Sequence, residues 1–428
     1  MVVFLLIIIF LAFISLGLPD SLFGVAWPLM HLELGVAEDL ASYVTIIVGA
    51  GTKFMGFFAG KIIRKLGTGR TAAISTLLSA VAILGIGLSQ NIWLLVAFST
   101  ILGLGAGAID AGLNDYVARN YKAKYMSWLH CFWGVGVTVS PLIMSQFLAN
   151  GSWRGGYITV SIIQMVLAVI LFACIPVWTK VARVKAQNAL ISDERGTQFT
   201  SSGTQSESVA RHKVSDILKL KGIFCALFTF AIYCAMEQIV GYWGASFLVN
   251  DRGISPAEAS LWVSLYYGGI MLGRLLTGFL TAKFSDRQLT RYGVIISIAG
   301  IILLIFRAPT LTLIGLLLIG LGFAPVYPCG MHATPSRFGD SRSADAIGFQ
   351  MGFAGIGMIV LQPLFGIVAS NTTFAIFPYV LLAMGVLLFI LTEFVGKRTS
   401  DAVKQYDLEM GKKQDEQRET TESKSESN

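Results

Sequence analysis

Apolar residues in this chain recur neither with the 3.6-residue period of a surface helix nor with the alternation of a strand. They run on for about 20 residues at a time, the length a helix needs to cross a bilayer. Twelve such runs can be read, at 4–30, 41–63, 71–89, 92–118, 126–149, 155–178, 222–249, 258–282, 292–307, 309–331, 344–369 and 373–396. The pattern predicts an all-α membrane protein with twelve transmembrane helices. The first run lacks the basic start and small-residue cleavage site of a secretory signal, and exceeds its roughly 7–15-residue apolar core. It is therefore read as a retained helix.

Polar stretches divide the chain. The segment around SDERGTQFTSSGTQSES is charged and rich in Ser and Thr, which predicts a flexible linker over 180–221. The expected organisation is a six-helix bundle at 1–179, the linker at 180–221, a second six-helix bundle at 222–396, and a disordered tail at 397–428. The two bundles repeat each other at a nearly fixed offset. Adding 217 carries Gly24 to Gly241, Gly103 to Gly320 and Gly105 to Gly322. Adding 218 carries 35-GVAEDLAS-42 onto 253-GISPAEAS-260, and adding 221 carries Gly134 and Gly136 onto Gly355 and Gly357. Glycine is common in membrane helices, so the shared order of the matches, more than any one of them, predicts two pseudo-symmetric halves.

Composition agrees and adds orientation. Charged residues make up 13% of the 428 residues, against about 25% in soluble domains. Of the 32 Lys and Arg, 27 fall on loops of one parity and three (Arg154, Arg252, Arg307) on the other. By the positive-inside rule both termini and the linker face the cytoplasm, with the plasma membrane the expected location. The net charge of +7 follows from this topology and gives no hint of nucleic acid. The five cysteines (131, 174, 225, 234 and 329) lie in apolar runs without metal-ligand spacing, and read as small buried hydrophobes.

Against this background a few polar residues stand out, because an ionisable side chain inside a membrane is costly and by default functional. The first helix has Asp20 in GLPDSLFGVAWP, the fourth has Asp110 and Asn114 in GLGAGAIDAGLND, the seventh has Glu237 and Gln238 in AMEQIVGYWG, and the tenth has Tyr327 in GFAPVYPCG. Gly103, Gly107, Asp110 and Asn114 share one helical stripe, as do Gly17, Asp20, Gly24 and Trp27. Asp20 also maps onto Glu237 at the 217 offset. Prolines 19, 325 and 328 break backbone hydrogen bonds, which a membrane tolerates beside a cavity or another helix. Lys53 and Arg274 read as structural ion-pair candidates, with Lys53 able to neutralise Asp20 or Asp110. His130 reads as a capping or hydrogen-bonding residue near the interface. Trp27, Trp133, Trp153, Trp243 and Trp262 read as interfacial anchors, with Trp27, Trp133 and Trp243 also open to stacking on a solute. No nucleophile triad, metal cluster or phosphate loop is found, which argues against an enzyme or an ATP-driven pump.

Two six-helix halves repeated in parallel across a cytoplasmic linker resemble the major facilitator transporters. The resemblance covers roughly 4–396 and implies a central cavity lined by the first, fourth, seventh and tenth helices, where the acids above fall. The acid followed four residues later by Asn, with an Asp in the first helix, is similar to the fucose and glucose permease group. That resemblance implies Asp110 as cation-coupling acid, Asp20 as a coupling or solute-binding acid, and Asn114 as a hydroxyl-binding partner. Glu237 is a further coupling and solute-binding candidate, with Gln238, Trp243 and Tyr327 expected to bind solute. Two features depart from the superfamily's usual pattern. Arg64 stands where the loop 60-GKIIRKLGTGR-70 ordinarily carries an aspartate, and GVGVTVSPL lacks the form typical of drug/proton antiporters.

The implied activity is proton-coupled symport of a small polar solute such as a sugar, with Na⁺ the alternative ion and no other cofactor or metal. The expected partners are the solute and the lipid bilayer, and the expected state is a monomer. Proton-driven efflux of amphipathic compounds is one alternative, and a non-transporting solute sensor another.

Overall fold

The computed structural model describes residues 2–121, 123–181, 214–405 and 408. Among them twelve helices are long and apolar enough to cross a membrane. We number them α1 to α12: Phe4–Glu33, Leu40–Leu66, Thr68–Leu88, Ile92–Asn114, Trp128–Leu148, Arg154–Val181, Ile223–Asn250, Pro256–Leu280, Asp286–Ile305, Pro309–His332, Asp345–Asn371 and Phe374–Arg398. An even number of crossings leaves both chain ends at one end of the bundle, here the terminal side, opposite the far side. Of the expected linker, residues 182–213 lie outside the described residues, as do 406–407 and 409–428 of the expected tail.

Local chemistry sets the helix ends. Asn91 Oδ1 accepts from the Leu94 amide at 3.0 Å and Ser255 Oγ from the Glu258 amide at 3.3 Å, capping α4 and α8. At α9 a full capping box forms, with Ser285 Oγ accepting from the Gln288 amide and Gln288 Oε1 from the Ser285 amide. This cap starts α9 six residues before the apolar run at 292, because its first turn, DRQLTR, is helical but charged.

Four of the twelve are interrupted, α6 near its terminal-side end at Cys174 and three others partway across. The first runs as Val2–Asp20 and then Leu22–Glu33. Pro19 has no N–H, so the Ser15 carbonyl one turn earlier loses its intrahelical donor. Gln164 of α6 replaces it, its Nε2 donating to Ser15 O at 2.8 Å and to Ser15 Oγ at 3.3 Å. Ser140 Oγ of α5 donates to Leu18 O at 2.5 Å. α10 breaks between Phe323 and Val326 at Pro325, and α11 widens into a π-helical turn over Gly357–Leu361.

The halves pack by the same rules at equivalent positions. A Cβ on Gly103 of α4 would lie 2.5 Å from Val48 O of α2, and one on Gly320 of α10 would lie 2.1 Å from Tyr266 O of α8. A Cβ on Gly136 of α5 would lie 2.4 Å from Ile14 O, and one on Gly357 of α11 would lie 2.1 Å from Ala231 O of α7. Glycine allows these backbones to approach where any side chain would hold them apart. Each contact in one half has its counterpart 217 to 221 residues later, so the sequence repeat is a structural repeat.

The halves meet from mid-depth to the far side. Ser264 Oγ donates to Thr138 O at 2.7 Å and Ser260 Oγ to Pro141 O at 2.8 Å. Toward the far end, Gly24 packs on the Gly241–Tyr242 backbone, and Asn250 Nδ2 donates to both Glu38 carboxylate oxygens at 2.8 and 3.1 Å. Trp27 and Trp243 are buried within this seal, and Trp153 is buried nearby. Their expected place as lipid-interface anchors is therefore corrected: Trp27 Nε1 donates to Glu38 O at 2.8 Å and Trp153 Nε1 to Glu33 Oε2 at 2.6 Å, pinning loops. Trp93, 79% exposed at the start of α4, has the outward placement of an anchor instead.

Candidate functional site

The break in α1 leaves Asp20 at the end of a helical segment, where its carboxylate is exposed although most of its neighbours in sequence are buried. With the far side sealed, this carboxylate is reached from the terminal side. Trp133 of α5 donates its indole Nε1 to Asp20 Oδ2 at 2.8 Å. The Arg274 guanidinium of α8 lies over the same indole, 5.0 Å from the ring centroid. Arg274 in turn pairs with Glu237 of α7, Nη2 to Oε1 at 3.5 Å, with both side chains at most one-tenth exposed. Asp20 and Glu237, equivalent acids of the two halves, are thus joined through Trp133 and Arg274. This string crosses from α1 through α5 and α8 to α7.

Each link has a physical reason. A buried glutamate needs a paired charge, and Arg274 supplies it. Indole offers a π face to the guanidinium and an N–H to the carboxylate, so one ring serves both charges. Tyr266, buried, donates its hydroxyl to the Glu237 carbonyl at 3.0 Å, anchoring the α7 backbone beside the acid. The ion pair of Arg274 is thus with Glu237.

Asp110 and Asn114 form a second group on α4. Asn114 Nδ2 donates to Asp110 Oδ1 at 2.8 Å and to Asp110 O at 3.0 Å. Lys53 is exposed. Its Cε lies 3.4 Å from where a Cβ on Gly355 of α11 would be, so its stem crosses to the other half. Gly134, the counterpart of Gly355, packs in the same way on Met271. Lys53 therefore occupies the place in one half that an apolar Met271 holds in the other. Tyr327 is half-buried against Phe230, with ring centroids 5.2 Å apart, and 6.2 Å from Tyr233.

Two expected solute contacts differ from the rest. Trp243 is fully buried, with Gly366 so close that a Cβ there would lie 1.9 Å from its ring, and it packs on Phe374 at 6.0 Å. It belongs to the far-side seal in this conformation, because α7 turns that face toward α11. Gln238, half-buried, lies next to Glu237 in sequence but outside the string just described. His130 packs edge-on to Phe13 at 5.9 Å. The residues sequence reasoning gave least weight are Trp133, Tyr266 and Gln164. Their signal was a polar atom inside an apolar run, which in a membrane must find a partner.

Comparison with known proteins agrees with this architecture. The family model described as Major Facilitator Superfamily matches residues 5–243 and 222–410. The chain is 22% identical over 371 residues to the cis,cis-muconate transport protein of Acinetobacter baylyi, covering 85% of this chain and 86% of that protein. It is 24% identical over 290 residues to the glucose/mannose transporter GlcP of Bacillus subtilis, covering 65% and 68%. Among solved structures, a mutant form of the nucleoside transporter NupG superposes with a TM-score of 0.71 at 14% identity, covering 90% of this chain and 98% of that one.

Proposed function

Because the chain belongs to the Major Facilitator Superfamily, and is accordingly a membrane transporter and not an enzyme, we propose that it is a proton-coupled symporter of a small polar solute such as a sugar. The observation that carries this reading is the exposed Asp20 carboxylate, linked through Trp133 and Arg274 to Glu237 of the other half. A solute or proton that alters the charge at Asp20 acts on a string that spans both halves. Asp110, with Asn114 bonded to it, is the proposed coupling acid, and hydroxyl groups of the solute would bond to Asn114, Asp20 and Tyr327. Protonation removes the cost of carrying a bare carboxylate through the occluded state. Sodium would serve the same end. In this reading the terminal side faces the cytoplasm of a plasma-membrane monomer, supported by the bias of 27 basic residues to three.

A second reading, transport of a carboxylate-bearing solute, is favoured by the exposed Lys53 ammonium beside the cavity and by the similarity to a muconate transport protein.

Uptake into proteoliposomes separates these readings. Labelled hexoses, deoxyhexoses, hexuronates and a dicarboxylate would be offered under an imposed inward proton gradient, then under a sodium gradient, to wild type and Asp110→Asn. Gradient-driven accumulation of a neutral sugar, reduced in the variant to exchange, supports the first reading. Accumulation of acids alone supports the second. Expulsion of a lipophilic cation with no sugar or acid movement overturns both.

A further inference from the structure

The far-side seal buries polar groups that it does not satisfy. The Ser42 hydroxyl of α2, the Trp243 indole N–H and Ser246 hydroxyl of α7, and the Gln362 amide nitrogen of α11 have no hydrogen-bond partner among the described residues. All four residues are at most 1% exposed, and the four atoms are shut off from solvent. Trp243 and Ser42 meet at Gly366 of α11. A Cβ there would lie 2.3 Å from Cε2, the indole carbon that bears the N–H, and 2.5 Å from Ser42 Oγ. Gln362 is four residues earlier on the same face of α11. Ser246 stands on α7 between Tyr242, which packs on Gly24, and Asn250, which bonds Glu38. All four groups thus face the join between the halves.

The equivalent seam of the repeat is satisfied. Ser42 corresponds to Ser260 at the 218 offset, and Pro363 of α11 to Pro141 of α5 at 222. Ser260 Oγ donates to Pro141 O at 2.8 Å, and Ser264 Oγ, one turn on, donates to Thr138 O at 2.7 Å. Between α2 and α11 the Ser42 hydroxyl makes no such bond. There α11 also departs from regular geometry, in the π-helical turn over Gly357–Leu361 immediately before Gln362.

An unpaired polar group costs free energy only while it is buried. A seal built simply to stay shut would be apolar at these positions, as it is at the neighbouring Val44, Ile239 and Phe247. We infer that these four groups set the balance between the two ends of the transport cycle. Closing the far side strands them, and opening it lets water reach them, so the sealed state is kept shallow enough to reopen. The device lies in the α2–α7–α11 face alone, because the α5–α8 seam has its bonds made.

The test uses the purified full chain in detergent and needs no identified solute, so its outcome is independent of the symport reading. Ser42→Ala, Ser246→Ala and Gln362→Met each remove an unpaired group at nearly constant volume, whereas Ser260→Ala removes a paired one. Melting temperatures would be measured beside the distance between spin labels at 43 and 371, exposed positions at the far-side ends of α2 and α11. The label background has the five native cysteines replaced by serine. The first three variants should melt above wild type, and the long-distance population should shrink about tenfold. Ser260→Ala should melt below wild type. Both serines gain the same helix propensity on becoming alanine, so the opposite signs isolate the pairing. A melting temperature of Ser42→Ala at or below wild type overturns the proposal, as does a long-distance population undiminished in all three variants.

Discussion

Trp133 Nε1 and Asp20 Oδ2 lie 2.8 Å apart, and through that contact a carboxylate at the break of α1 is tied to the α5–α8 seam. The bond has a consequence for transport. Trp133→Phe keeps a ring for Arg274 to stack on but deletes the only indole proton. A hydrogen bond to a charged group is worth about 1.5–3 kcal/mol, so uptake should fall by about tenfold or more. Thermal stability should change far less, because the apolar ring volume is retained. Measuring initial uptake rates beside the melting temperature decides it. An unchanged rate would mean that the contact is incidental to the cycle.

The far-side seal makes a different prediction. A Cβ on Gly24 would lie 2.6 Å from Gly241 O, so Gly24→Ala cannot keep the present approach of α1 and α7. The variant should favour the conformation in which the far side is open. Spin labels at 38 and 250, on a background with the five native cysteines replaced by serine, would read the separation of the two ends. A longer mean distance is expected, with uptake slowed by about tenfold or more if the shift exceeds roughly 1.4 kcal/mol. A distance distribution identical to that of the unsubstituted Gly24 protein would show that neighbouring backbone absorbs the methyl without opening the seal.

Gln164 offers a test of the α1 break itself. Its amide supplies the donor that Pro19 withholds from the Ser15 carbonyl. Gln164→Leu should cost about 1–3 kcal/mol for leaving a buried carbonyl unpaired, or nearer 0.6 kcal/mol if the membrane setting supplies another partner. Pro19→Ala in the same chain restores an N–H for Ser15 and should recover most of that loss. Unfolding in detergent of both single variants and the double variant gives the coupling. Additive losses would mean that Gln164 acts on something other than the carbonyl that Pro19 frees.

What was legible beforehand follows the same physical division. The twelve spans were readable because a bilayer imposes a length, and the repeat was readable because close backbone approach restricts Gly103, Gly320, Gly136 and Gly357 to one residue type. Hydropathy places the start of α9 late because it discards the charged turn after Ser285, although the cap is present in the sequence. Trp243 reads in sequence as open to a solute, since its burial depends on which helix covers it and nothing local encodes the arrival of Gly366. The link of Asp20 to Glu237 through Trp133 and Arg274 joins residues up to 254 positions apart, so only the assembled fold could display it.

Arg274 and Glu237 allow stability and function to be separated. Both are largely buried and lie 3.5 Å apart. Removing one alone, as in Arg274→Leu, strands a buried carboxylate and should destabilise by about 3–5 kcal/mol. Replacing both, as in Arg274→Leu with Glu237→Leu, leaves no bare charge and should restore stability to near wild type. Transport should not return with it, because the string from Asp20 to the second half is then missing two members. Arg274→Lys sharpens the distinction: it keeps the charge but gives up the planar group stacked on Trp133, and is expected to retain stability better than transport. Melting temperatures and uptake rates measured on all three variants would resolve the roles. If the double variant transports as well as wild type, the pair is scaffolding, and coupling must run through Asp110 and Lys53 alone.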